Sequence, residues 1–508
     1  MKKNLLFSVC LFSFIGFYNS YAQKNTEKSH SVDASAMYDK SDSVPPPVIT
    51  HHHITIDGKE INYTATTGYM PMKDSLGKLL AKIFYIAYTN DAPAAKRPVT
   101  FAFNGGPGSS SIWLHMGAIS PIRVHFGDDN GGMPAPPYTY GDNPNSWIGF
   151  TDLVFIDPVS TGYSRTNKGV SPRRFHGYAQ DIASVGDFIR LYTTRNDRWG
   201  SPKFLTGESY GTTRASGLSG YLQNEYGMYL NGITLISSVL NYQYLEFNKG
   251  NEIPYVLYLP TYATTAQFHK KLSPELEAMS PSDLAQKTKI FAEGTYNYFL
   301  VLGDQAPIEL TNKVIDSLNY FTGLSKEYIR SANERIQDWR FFKQLLRDDG
   351  KTVGRYDSRY TGEDADDAGE APSYDPSYSG VSGLFNGVFN EYIRKDLGYK
   401  SDMQYEALTN VWPWSFGSSN SYLDVSETLR DAMTENPYLK VMICCGYYDL
   451  ATPFFNAEYA VDHMGLRKDV RKNISLTYYN SGHMLYVNKA DDAKLKTDAE
   501  NFYQSAIK

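Results

Sequence analysis

Gly207-Glu208-Ser209-Tyr210-Gly211 sets one serine between two glycines at the end of an apolar run, Lys203-Phe204-Leu205-Thr206, and ahead of a stretch rich in small residues. A strand that turns sharply into a helix strains the backbone at the turning residue, so its neighbours must be small. A serine there stands out of the sheet, with its oxygen at a helix N-terminus that favours developing negative charge. The chemistry would be nucleophilic attack on an acyl carbon. Among 40 glycines such a pentapeptide is weak evidence alone, and the serine needs partners found independently.

Two partners follow apolar runs further along. Residues 441–445 lead into Gly446-Tyr447-Tyr448-Asp449, and residues 474–479 into Asn480-Ser481-Gly482-His483-Met484. Both side chains then sit on loops at the C-terminal ends of strands. The order Ser209, Asp449, His483 is the α/β-hydrolase order. His483 is placed to take the Ser209 proton as general base, and Asp449 to fix its tautomer. His463, also followed by Met, falls in a helical stretch, 456–464, and His115 and His125 precede the serine, so they are assigned structural or substrate-facing roles.

A glycine loop, Asn104-Gly105-Gly106-Pro107-Gly108-Ser109-Ser110-Ser111, follows the apolar run 99–103. Bare backbone N–H groups there, with that of Tyr210 after the serine, suit an oxyanion. No Gly-Lys-Ser/Thr follows to meet phosphates, which argues against nucleotide binding.

The elements that must hold these residues are short apolar runs, at 82–88, 99–103, 153–156, 204–205, 233–236, 441–445 and 474–479, alternating with amphipathic stretches such as 178–195. That pattern predicts an α/β-hydrolase fold, a mostly parallel sheet flanked by helices. Residues 48–240 form the first part of the core, opening with a hairpin over 53–66 around Asp57-Gly58. Residues 241–420 read as a largely helical cap insertion, with helices over 280–300 and 315–344. Residues 421–508 return to the core, from the helix start at Asp424-Val425-Ser426-Glu427. No fixed-period repeat interrupts the pattern.

Residues 1–22 read as an export signal, with Lys2 and Lys3 before the apolar stretch 5–17 and Ser20-Tyr21-Ala22 at its end, and 23–47 as a flexible polar lead-in. The mature chain is expected outside the cytoplasm, periplasmic or extracellular, with no stable membrane insertion because no later apolar run is long enough. Net charge is −6, or −8 without the two leader lysines, and no nucleic-acid partner is indicated. Adjacent Cys444 and Cys445 would point to opposite faces of a strand and form no ordinary disulfide. His51-His52-His53 on a strand likewise cannot all face one ion, and no metal or cofactor is called for. The acidic stretch 354–376 lacks a calcium-loop pattern and reads as a solvated loop. Oligomeric state is left open.

Taken together, the loop 104–111, Glu208-Ser209-Tyr210-Gly211, Asp157-Pro158-Val159-Ser160-Thr161-Gly162-Tyr163-Ser164, Asn143-Pro144-Asn145-Ser146-Trp147, Gly446 to Asp449 and Gly482-His483-Met484 resemble the serine carboxypeptidase family, which includes carboxypeptidase Y and cathepsin A. With the leader, the chain is identified as an exported bacterial member. The resemblance implies peptide substrates that lose one C-terminal residue through an acyl-enzyme on Ser209, with Asp449 and His483 as its partners. It further implies Gly106 and Tyr210 N–H as oxyanion donors, and Asn104 and Glu208 as hydrogen-bond partners of the substrate's terminal carboxylate. Glu208 must then be protonated, which favours mildly acidic conditions. Three positions depart from the family: Ala118 stands where a second glutamate is usual, Ala102 for a tryptophan and Ser109 for a cysteine. The carboxylate clamp is thinner, so acyl transfer or ester hydrolysis by the same machinery stays open beside exopeptidase action. A non-catalytic binding protein on this fold is disfavoured by the intact Ser-Asp-His set.

Overall fold

The computed structural model describes residues 44–92, 96–128 and 132–507. The leader and most of the lead-in lie outside the described residues. The main sheet has strands β1 (Val48–Ile56), β2 (Lys59–Lys73), β3 (Leu79–Asn90), β4 (Val99–Phe103), β5 (Asp152–Ile156), β6 (Lys203–Ser209), β7 (Gly232–Ser238), β8 (Lys440–Gly446) and β9 (Ile474–Tyr479). Their spatial order is β1-β2-β3-β5-β4-β6-β7-β8-β9, and a two-residue strand, Arg165–Thr166, pairs with β3. From β5 to β9 neighbouring strands run parallel, while β1, β2 and β3 form an antiparallel extension. The first hairpin turns at Asp57 (φ 50°) and Gly58 (φ 77°), and its strands are longer than the alternation alone indicated.

Parallel strands buried on both faces read as unbroken apolar runs, and here each strand feeds two cores. Phe101, Leu205, Ile233, Val441, Ile443 and Cys445 face one core. Ala102, Phe204, Ile236, Met442 and Cys444 face the other. The adjacent cysteines therefore sit on opposite sides of the sheet as free, buried thiols.

Helices α1 (Tyr178–Arg195), α2 (Tyr210–Tyr226), α3 (Ile253–Phe268), α4 (Pro376–Lys395), α5 (Ser426–Glu435), α6 (Phe454–His463) and α7 (Lys489–Ile507) cover the two faces. α1, α2, α3, α5 and α6 contribute to the first core. α4 and α7 contribute to the second, with Phe385, Phe389, Tyr392, Phe502 and Tyr503 buried there. Within 241–420 the expected helix over 280–300 is present, running from Pro281 to Leu302 through a π-helical turn at Ala292–Tyr296. The stretch 315–344 divides into Ile308–Thr322, Lys326–Ser331 and Asp338–Gln344, with Gly323 left-handed at φ 69° after the first. Helical spacing marks an apolar face but not what covers it, and α4, which the sequence reading includes in 241–420, packs into the second core. Among the described residues no helix is long and apolar enough to cross a membrane.

One buried ion pair ties the helices to the loop 104–111. Arg214 on α2 is 1% exposed and donates to Asp181 of α1 at 2.8 and 3.2 Å, and its remaining Nη1 donates to the Asn104 carbonyl at 2.6 Å. The Tyr210 hydroxyl adds a bond to the same aspartate at 3.1 Å. Removing one partner strands the other charge in the core. Arg214→Ala is expected to lower unfolding stability in urea by about 3–5 kcal/mol; a loss under about 1 kcal/mol would show the pair to be dispensable.

Candidate active site

β6 runs straight into α2, and Ser209 takes the reversal at φ 60°, ψ −129°, a conformation few non-glycine residues hold. Two close approaches make it possible. A Cβ at Gly207 would lie 2.1 Å from the Gly211 carbonyl oxygen, and one at Gly105 only 2.3 Å from the Tyr210 nitrogen. The glycine loop is thus pressed against the serine turn, and Gly106, at φ 102°, lines one cleft with Asn104, Glu208, Ser209 and His483. The Tyr210 N–H opens α2 and has no acceptor within the helix.

Asp449 and His483 meet here. His483 Nδ1 lies 2.9 Å from Asp449 Oδ2, and both side chains are almost wholly buried. Because a carboxylate only accepts, the proton sits on Nδ1 and leaves Nε2 free to accept another. Asp449 is held by Ala451 N at 2.8 Å and Thr452 N at 2.9 Å on one oxygen, and by Thr452 Oγ1 at 2.8 Å on the other. Burial pushes the His483 imidazole down, but the Asp449 charge and hydrogen bond outweigh it and leave the group above its ordinary value. An imidazole so fixed can take a hydroxyl proton and return it to a leaving group.

Asn104 and Glu208 lie on the same wall. The Asn104 side-chain oxygen accepts from Leu114 N at 3.0 Å, and its amide nitrogen faces Glu208 without a hydrogen bond of good geometry. Glu208 is 3% exposed, and its Oε2 also lacks a partner. Burial raises the Glu208 carboxyl to about 7, against the lowering influence of His483, Tyr486 and Asn104. A carboxyl that burial helps to keep its proton, beside one held by a full set of donors, is one way two carboxyls in a site divide roles.

The other quoted motifs are held by buried hydrogen bonds outside the cleft lining. Asp157 accepts from Ser111 N and Oγ at 2.9 and 2.8 Å, and burial raises it to about 6. Asn143 donates to the Ala118 and Ser120 carbonyls. His463 is exposed and stacks on Tyr459; His115 is buried against Tyr88, and His125 pairs with Thr139, so none reaches the cleft. The three histidines of β1 alternate between faces, with His52 stacked on Tyr63.

Several cleft residues escaped the sequence reading. Trp113, Tyr356, Tyr378 and Leu408 join Met484 of the quoted Gly482-His483-Met484 motif in an apolar lining. The start of the stretch 354–376 is not solvated: His483 N donates to the Tyr356 carbonyl, Gly482 N to Asp357 at 3.1 Å, and the Tyr356 ring lies 5.1 Å from the imidazole. Further on, Asp364 is buried against Lys343 at 2.9 Å. A second strap crosses the glycine loop, where Ser110 N donates to the Ala407 carbonyl and Thr409 N to that of Gly108. Neither strap carries a motif; the only hint was aromatic density in otherwise polar stretches.

The profile of the serine carboxypeptidase family matches residues 56–489. The chain belongs to the serine carboxypeptidase family. A carboxypeptidase Y homolog of Arthroderma benhamiae is 30% identical over 163 residues, 31% of this chain and 29% of that protein. Serine carboxypeptidase-like 36 of Arabidopsis thaliana is 26% identical over 156 residues, 30% of this chain and 29% of the relative. These alignments span about three tenths of each relative's length. A solved prohormone-processing carboxypeptidase from Saccharomyces cerevisiae shares the fold, with TM-score 0.52 at 16% identity over 87% of this chain and 91% of its own. These relatives are plant and fungal, so the expected bacterial source finds no support in them.

Gly207→Ala is expected to destabilise this carboxypeptidase-family chain by at least about 1–3 kcal/mol, because the new methyl meets backbone rather than a mobile side chain. An unchanged midpoint in denaturant would contradict the close approach.

Proposed function

We propose that this chain is a serine-type carboxypeptidase. The observation that carries the reading is one cleft that joins the Ser209 turn and the His483–Asp449 pair to two buried, unpartnered groups, Asn104 Nδ2 and Glu208 Oε2. Ser209 Oγ attacks the carbonyl carbon of the last peptide bond while its proton passes to His483 Nε2. The tetrahedral oxyanion is received by the N–H groups of Gly106 and Tyr210, a donor of this kind contributing about 3–4 kcal/mol. Collapse breaks the C–N bond, and the leaving amine takes the proton from His483. Water then repeats the sequence on the acyl-enzyme and releases the shortened peptide.

Asn104 and protonated Glu208 would donate to the terminal carboxylate, and the aromatic lining suits an apolar last side chain. We also assign the helices of 241–420 that gather over the first core to a cap, and the leader to export, with the mature chain periplasmic or extracellular.

Digestion of one peptide with free and amidated C-termini, followed by mass spectrometry, tests the function. A ladder from the C-terminus and a kcat/KM ratio above about tenfold, or 1.4 kcal/mol, are expected. Ester turnover without a ladder would move the assignment to esterase or acyltransferase.

The pH dependence has a fixed sign. Glu208 donates only while protonated, so the free-acid preference should be present below about pH 7 and fall as pH rises through that value. His483 acts only while neutral, so turnover should fall on the acid side. A free-acid preference that grew between pH 6 and 8 would contradict Glu208 as donor.

A further inference from the structure

Three buried polar atoms beside the cleft have no hydrogen-bond partner of good geometry: Asn104 Nδ2, Glu208 Oε2 and Tyr486 Oη. Buried polar groups are rarely left so, and a cluster of them marks a place where a ligand supplies or aligns the missing partners. Tyr486 lies in the short turn Leu485–Val487, three residues after His483, and is fully buried. Arg123 donates to its carbonyl at 3.0 Å and pairs with Asp492, so the turn is anchored.

The ring has room for one reason. A Cβ at Gly117 would lie 2.4 Å from Tyr486 Cε2, so glycine there admits the tyrosine. The next residue is Ala118, where the family resemblance leads one to expect a second glutamate. The phenol thus packs beside a position from which a carboxyl is missing, and it acts on the Glu208 carboxyl closely enough for each to perturb the other's ionisation.

We propose that the Tyr486 hydroxyl takes the role of the missing carboxyl, orienting Glu208 toward the C-terminal carboxylate of a peptide as a positioning residue. The proposal rests on the reading that Asn104 and Glu208 receive that carboxylate. A carboxyl partner would compete for the shared proton, whereas a phenol held well above its ordinary value donates without ionising. Glu208 then answers to the other groups that face it: His483 and Asp449 from the loops after β9 and β8, the Asn104 amide, and the Tyr356 phenol on the strap. The Arg355 charge acts on His483, and that of Asp492 on Tyr486.

Tyr486→Phe keeps the ring and removes the donor. Its kcat/KM for a free-acid peptide should fall at least tenfold more than for the C-terminal ester of the same peptide. The alkaline fall of the free-acid preference should move to higher pH, because the phenol favours the Glu208 anion. Gly117→Ala, which displaces the ring and leaves its hydroxyl, should give the same selective loss. An infrared readout separates the two levels of the argument: the buried carboxyl C=O band that Glu208→Gln abolishes should shift upward in Tyr486→Phe. Equal losses on acid and ester would reduce Tyr486 to packing and overturn the proposal. A wild-type free-acid preference with an unmoved band would overturn the tyrosine's role alone; no wild-type preference at all would overturn both it and the carboxylate reading.

Discussion

The reversal of the chain at Ser209 is the constraint around which the rest is arranged. A serine at φ 60°, ψ −129° costs about 1–3 kcal/mol and persists only when its surroundings over-determine it. Here β6 and α2 are fixed by the two cores, Arg214 locks α2 to α1 and to the Asn104 carbonyl, and the glycine loop is pressed on the turn from the other side. That loop is braced in turn by Asp157 and by the strap at 407–409. The strain keeps Ser209 at the N-terminus of α2, in the cleft it shares with Gly106 and His483.

Electrostatics then divide the work between two carboxyls. Asp449 accepts three hydrogen bonds besides the one from His483. Glu208 has no such set, and burial holds its proton to about 7. The two groups are the same chemistry in different surroundings, and the difference lies in backbone donors that a sequence does not display. The Asp449 loop supplies them because Ala451 and Thr452 turn back over the aspartate directly after β8.

Much of the frame was legible in the sequence. Residues 99–103, 474–479 and 178–195 fall on β4, β9 and α1 residue for residue, because a buried parallel strand and an amphipathic helix each write a period into the chain. The meeting of Ser209, Asp449 and His483 in one place was legible from strand-end position and order. What was not legible came from packing between distant segments. Arg214 and Asp181 look like solvent-facing charges until α1 and α2 are laid side by side. The stretch after Gly354 looked solvated because its acidic residues dominate the composition, while its opening residues are bound to the His483 loop. Tyr486 carries no signal until the space above Gly117 is seen.

The central claim is that Ser209 is a nucleophile activated by the His483–Asp449 pair. Reaction with a fluorophosphonate, with the adduct located by peptide mass spectrometry, tests it most directly. A single adduct on Ser209 is expected, formed at least about 10³-fold more slowly in His483→Ala. No adduct on Ser209, or one formed at an unchanged rate without the imidazole, would contradict the account.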